Sequence, residues 1–133
     1  MGVPVVGFGA DEFPAFYSRQ SGHKVPMRLD TAKEVASMMK AKWKLGMNGG
    51  IVVANPIPSE FEIPKDEIEP VILRALAEAM RRGVVGKEAT PFLLKAIVEA
   101  TDGRSLKANI ALVESNARLA AQIAKAYNQK RLI

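Results

Sequence analysis

A layered α/β/α fold with a mixed or parallel sheet is what three features of the sequence predict. Two short apolar runs, VPVVGF (3–8) and IVVAN (51–55), have the length and β-branched content of buried strands. Four longer stretches carry apolar residues at helical spacing. The elements come in the order β, β, α, β, α, α, α, as in a sheet covered by helices. The inventory is unbalanced, however. Three strands, two of them reading as fully buried, cannot cover the apolar surface of the last three helices. Residues 1–133 therefore read as one unit without internal boundary, an incomplete portion of a larger fold.

Each element has a local reason. VPVVGF is a strand ending at glycines, and VPMRL (25–29) is a weaker one whose Pro26 suits an edge or a strand start. Asp30 or Thr31 caps a helix over 31–45, with Glu34 placed for a capping box and Gly46 as the stop. Val35, Met38, Met39, Lys42 and Trp43 recur along it at helical spacing. IVVAN follows a glycine turn and halts at Pro56-Ile57-Pro58, which cannot continue a ladder. A helix over 66–82 carries the stripe Ile68, Val71, Ile72, Ala75, Leu76 and Ala79, with Pro70 near its first turn. Thr90-Pro91 starts a helix to Thr101, Asp102-Gly103 breaks it, and Ser105 caps a last helix to Asn128. There, Leu106, Ile110, Val113, Ala117, Ala120, Ala124 and Tyr127 read as the core stripe.

Composition narrows the function. No apolar run is long enough to span a membrane, and the N-terminus lacks the basic region and apolar core of a secretory signal. Cysteine is absent, which excludes disulfides and thiolate metal sites and suits a reducing, cytoplasmic setting. The net charge of +5 is spread along the chain among acidic residues, and its densest basic clusters are Lys40, Lys42, Lys44 and Arg81, Arg82. That distribution fits an anionic small-molecule substrate better than a nucleic acid, and neither nucleic acid nor membrane is expected as a partner.

Candidate chemistry is sparse. The single histidine, His23, lies in a Ser-Gly-His-Lys loop and is expected to be exposed. No P-loop, G-x-S-x-G or metal-ligand spacing is present. Asp11 and Glu12 follow the first strand. Adjacent carboxylates on an extended segment point to opposite sides and do not form an acid/base pair. Asp11 reads as the cap of a short helical turn at 12–17 whose aromatics pack inward; the alternative is a carboxylate beside a ligand at a strand end. In the last helix a second row, Asn109, Leu112, Asn116, Leu119 and Ile123, places two asparagines seven residues apart on a semi-buried face. Asparagine is a poor helix former and costly to bury unpaired. Each either bonds a loop backbone or presents its amide to a planar polar ligand. Alanines at 108, 111, 117, 120 and 121 allow a neighbour to approach closely.

The strings GVPVVGFGADEFPAFYSRQSG (2–22), GGIVVANPIP (49–58), GKEATPFLL (86–94) and GRSLKANIALVESNARLAAQIA (103–124) together resemble the C-terminal half of the pseudouridine-5′-phosphate glycosidase family, also called indigoidine synthase A-like. The resemblance covers nearly the whole chain, in order. It implies reversible cleavage of the carbon–carbon glycosidic bond of pseudouridine 5′-phosphate to uracil and ribose 5-phosphate. The family's route runs through a lysine Schiff base on the opened sugar, with a glutamate for proton transfer and a divalent metal, usually manganese. It places the lysine, the glutamate and the metal-binding residues in the N-terminal half, before the first residue here, and Lys87 and Lys95 do not match the lysine's motif. No catalytic residue or metal ligand is therefore expected in this chain, and it is expected to be inactive alone. Asn109, in LKANIALV, matches the family asparagine that approaches the uracil base; Asp11, Glu12 and Asn55 are further candidates. Implied partners are the substrate and products, and either a missing N-terminal half or the sister subunits of a trimer. The alternative is a non-catalytic binding or assembly domain that keeps the fold.

Overall fold

In the computed structural model, which describes residues 2–129, β1 (Val5–Phe8) is the centre of a three-stranded, wholly parallel sheet. β2 (Arg28–Leu29) and β3 (Val52–Ala54) flank it in the order β2-β1-β3. The backbone amides of β1 alternate between its neighbours. Gly7 N–H donates to the Met27 carbonyl at 2.9 Å and Gly9 N–H to that of Leu29 at 2.9 Å, while Pro4 O accepts from Val52 N–H at 2.9 Å. Gly7 has a further reason to be glycine: a Cβ there would collide with the Ala10 carbonyl oxygen. The predicted second strand shrinks to two residues, because Val25 is drawn into a different pairing, its N–H donating to Asp11 O at 3.0 Å.

Four helices follow or separate the strands: α1 (Ala32–Lys44), α2 (Lys65–Arg81), α3 (Ala89–Ala100) and α4 (Arg104–Asn128), with single 3-10 turns at Ser59–Phe61 and Gly86–Glu88. The capping box forms as expected. Thr31 Oγ1 accepts from Glu34 N–H at 3.2 Å, and Glu34 Oε2 accepts from Thr31 N–H at 2.8 Å. α1 packs on α4, where Trp43 and Tyr127 meet edge-to-face at 5.6 Å and the Lys40 ammonium sits 5.3 Å from the Tyr127 ring centre. α2 packs on α3, and their contact closes over a core of Tyr17, Ile57, Ile63, Ile68, Ala75, Ile97 and Ala108.

Several expectations are corrected. Pro70 lies beyond the first turn of α2, at its sixth residue, so the helix forgoes the bond that an amide there would give to the Asp66 carbonyl. Thr90 and Pro91 are the second and third residues of α3, behind the 3-10 turn. Ser105 is not the cap of α4. Asp102 and Gly103, at φ 50° and 78°, turn the chain through the left-handed region, and Thr101 Oγ1 accepts from Ser105 N–H at 3.2 Å. β3 is not fully buried, since Val52 is 41% exposed.

The largest correction concerns α4. Leu106, Ile110 and Val113 are 48%, 51% and 60% exposed, and Ala117, Ala120 and Ala124 are exposed with them. The face turned inward holds Ser105, Ala108, Ala111 and Leu119. α4 carries apolar residues on more than one face, and the close approach of its neighbours selects the face with the small residues Ala108 and Ala111. Lys42 also departs from its sequence context. It is buried, and its ammonium donates to the carbonyls of Met47, Asn48 and Gly49 at 2.9, 2.9 and 2.7 Å. The loop before β3 is thus wrapped around one cation.

Candidate functional site

The segment after β1 is where sequence reasoning placed two of its candidates, and both carboxylates are structural. Residues 12–17 form no helical turn. Instead Glu12 pairs with Lys24 in an antiparallel bridge, and Phe13 N–H donates to His23 O at 2.8 Å. Asp11 therefore caps nothing, and its carboxylate accepts from Arg28 at 2.8 Å, which also binds Asp30 at 2.7 Å. All three side chains are well exposed, so the triplet contributes little to stability. Glu12 Oε2 accepts from the N–H groups of Ser21 and Gly22 at 3.1 and 2.9 Å, which closes the loop around it. His23 is exposed.

Beyond that loop the chain is fastened to the 57–63 segment by Tyr17, whose inward packing the sequence predicts, and by Arg19 and Glu62, which the sequence did not flag. Arg19 Nη1 donates to Ile57 O at 2.6 Å, Arg19 N–H to Glu62 Oε1 at 2.8 Å, and Ile63 N–H to Tyr17 O at 2.9 Å. The arginine and glutamate sit 43 positions apart, and neither belongs to a recognisable motif. Tyr17 is buried, which pushes its phenol pKa above the usual value, with the Ser105 hydroxyl beside it opposing the shift. Phe16 stacks edge-to-face on it at 4.7 Å while remaining half exposed.

This anchored segment separates two cavities, and Ala15 and Phe16 line both. On one side lies a space of about 630 Å³ walled by α2, α3 and α4, with Ile68, Ile72, Leu93 and Ile97 as apolar lining. Asn109 projects into it, half-buried, with Ser18, Lys65, Glu69 and Thr90 as the other polar liners. Among the described residues its carboxamide bonds no protein group, and since no buried side-chain nitrogen or oxygen is left unpaired, it is open to solvent. On the other side lies a groove of about 640 Å³ between β3, α1 and α4. Asn55, at the end of β3, and Asn116 both face it. They bond each other, Asn55 Nδ2 donating to Asn116 Oδ1 at 2.9 Å and to Ser115 Oγ at 3.1 Å.

The two helix asparagines thus have different fates. Asn116 is satisfied by another side chain rather than by loop backbone, and Asn109 is left facing space. The structure does not bring Asn55, Asp11 or Glu12 to Asn109. A metal finds no donors here: among the described residues no group of three or more histidine, aspartate or glutamate side chains converges. Asp11 and Glu12, the nearest to a carboxylate pair, are spent on Arg28 and on backbone amides. Among the described residues no helix is long and apolar enough to cross a membrane.

The lineage of this parallel α/β layer follows from comparison with known proteins. The family model described as indigoidine synthase A-like protein matches residues 1–126, and the chain belongs to that family. It is 62% identical over 127 residues to a pseudouridine-5′-phosphate glycosidase of Nocardioides and 56% identical over 127 residues to one of Petrotoga mobilis. Each match takes in 96% of this chain but only 41% and 42% of the relative, so the chain spans about two-fifths of the length of the curated relatives it matches. Among solved structures, an indigoidine synthase A-like protein from Thermotoga maritima superimposes with TM-score 0.80 at 47% identity, over 92% of this chain and 40% of that one. A prealnumycin C-glycosynthase solved with ribulose 5-phosphate superimposes with TM-score 0.82 at 31% identity, over 94% and 41%.

Proposed function

We propose that this chain supplies the base-binding part of a pseudouridine-5′-phosphate glycosidase, with Asn109 contacting uracil. The observation that carries the reading is the Asn109 carboxamide, bonded to no protein group at a half-buried position of a mainly apolar cavity. Uracil is planar and presents alternating N–H and C=O groups along one edge. A carboxamide matches that edge with a donor and an acceptor at once. The names of the relatives point to the same substrate.

On this reading the chain binds and orients the base while its apolar lining excludes water. Cleavage of a carbon–carbon glycosidic bond asks for an amine that forms an iminium with the opened sugar and for a positioned carboxyl that moves protons. Both belong to residues outside this chain, as do the groups that hold manganese. Ribose 5-phosphate leaves as the second product, in a cytoplasmic setting.

The test has two arms. The purified chain alone, given pseudouridine 5′-phosphate, releases no uracil; release would overturn the division of labour. Co-expressed with the remaining portion of a close relative, it restores turnover, and Asn109→Ala lowers kcat/KM by about tenfold or more. A stable complex without turnover would favour the non-catalytic assembly role.

A further inference from the structure

We infer that the open edge of β3, with the groove beside it, docks a polypeptide carrying the part of the family fold that has no counterpart in this chain, and that this partner adds a parallel strand to β3. The inference rests on the functional reading above for its choice of partner. Its geometry is independent of that reading.

The backbone of β3 points to strand addition. In its register with β1, Val5 opposes Val52, Val6 opposes Val53 and Gly7 opposes Ala54. The Val52 amide bonds Pro4 O, so in a parallel ladder Val52 and Ala54 spend their N–H and C=O groups on β1. Val53 then turns both of its groups to the free edge. Among the described residues the strand order leaves nothing in the sheet beyond that edge.

The two edges of the sheet are built differently. β2 is two residues long, follows Pro26, and carries Arg28 within an ion triplet, all features that discourage pairing. The run Ile51-Val52-Val53-Ala54 has no charge and no proline, and the residue facing solvent is a 41% exposed valine. An unguarded apolar edge in a purely parallel sheet belongs in an interior. Beside it the groove of about 640 Å³ is lined by Val53, Met39, Leu112, Leu119 and Ile123.

The occupant follows from shape and from what the relatives possess. A second copy would bring another concave face, and two grooves facing each other leave a void rather than a packed contact. The groove needs a projecting apolar element. In the Nocardioides relative 41% of the chain matches this one, and the other three-fifths is a source of such an element.

The chain is co-expressed with the non-matching portion of the Nocardioides relative, and the complex is measured by co-purification and by light scattering. A one-to-one complex is expected. Ala120→Arg, an exposed helix position lining the groove, and Val53→Pro, which removes the edge N–H, should each weaken it about tenfold or more. Circular dichroism identifies any variant that fails to fold, and Ala120→Arg serves where Val53→Pro does not fold. Ile110→Arg, on an exposed face of α4 that does not line the groove, should leave the affinity within about twofold. Three results would overturn the inference: no complex, a complex indifferent to Ala120→Arg, or a homodimer of this chain that Ala120→Arg abolishes. A complex that depends on Ala120 but does not release uracil leaves the docking intact and overturns the functional reading instead.

Discussion

Asn55 Nδ2 donates to Asn116 Oδ1 at 2.9 Å, fastening the end of β3 to the middle of α4 across 61 positions. Asn55 therefore has a structural task, while Asn109 bonds no protein group. Replacing Asn55 with alanine should cost about 1 kcal/mol, as should Asn116→Ala. The double variant should cost less than their sum, because both remove one bond. Chemical denaturation of the four proteins measures the coupling. Uracil binding, followed by NMR, should fall for Asn109→Ala and change little for Asn55→Ala.

Lys42 holds three consecutive carbonyls, and no other described group takes its place. Lys42→Met keeps the stem's packing and deletes the cation. It should destabilise the fold by about 1–3 kcal/mol and speed amide exchange across 45–50. Lys40→Met and Lys44→Met, at exposed positions of the same helix, should stay within about 0.5 kcal/mol. Thermal melts of the three variants separate the buried lysine from its neighbours.

Gly7→Ala should be among the most damaging single-methyl changes in the chain. The added carbon meets the Ala10 carbonyl and lies 2.9 Å from Val25 Cγ2, so the central strand must shift. Overpacking of this kind costs about 1–3 kcal/mol, and the midpoint of urea unfolding reports it. Gly2→Ala, with open space around it, should be neutral.

Glu78 sits between Arg81 and Arg82 near the end of α2, and their hydrogen bonds hold its carboxyl down to about 2 from an ordinary 4.5. The folded value lies below the unfolded one. Its contribution to stability is therefore complete above about 4.5 and disappears as the pH falls toward 2. An NMR titration should place the Glu78 midpoint near the lower value. Removing one of the two guanidinium groups, as in Arg81→Gln, should raise it, and so should added salt, since the pair is exposed.

Much of the fold is legible in short windows of sequence. The Thr31–Glu34 capping box, the Asp102-Gly103 break and the strand IVVAN each depend on residues within a few positions, so local sterics and hydrogen bonding decide them. The strings around DEFPAFY and LKANIALV likewise carried the family resemblance, and that resemblance singled out Asn109 where the helix pattern had marked Asn109 and Asn116 alike. The sequence also foretold that three strands and four helices would leave apolar surface uncovered.

Only the tertiary structure decided which surface that is. Which face of α4 turns inward depends on how closely α1 and α3 approach it, and periodicity within α4 contains nothing about that distance. Asp11 and Lys42 follow the same rule. One met an arginine brought beside β1 by parallel pairing, and the other met carbonyls of a loop folded back over its helix. The sequence determines elements because their forces act between near neighbours in the chain. It leaves the choice of buried face, the separation of Asn55 from Asn109 and the open edge of β3 to contacts between residues far apart along it.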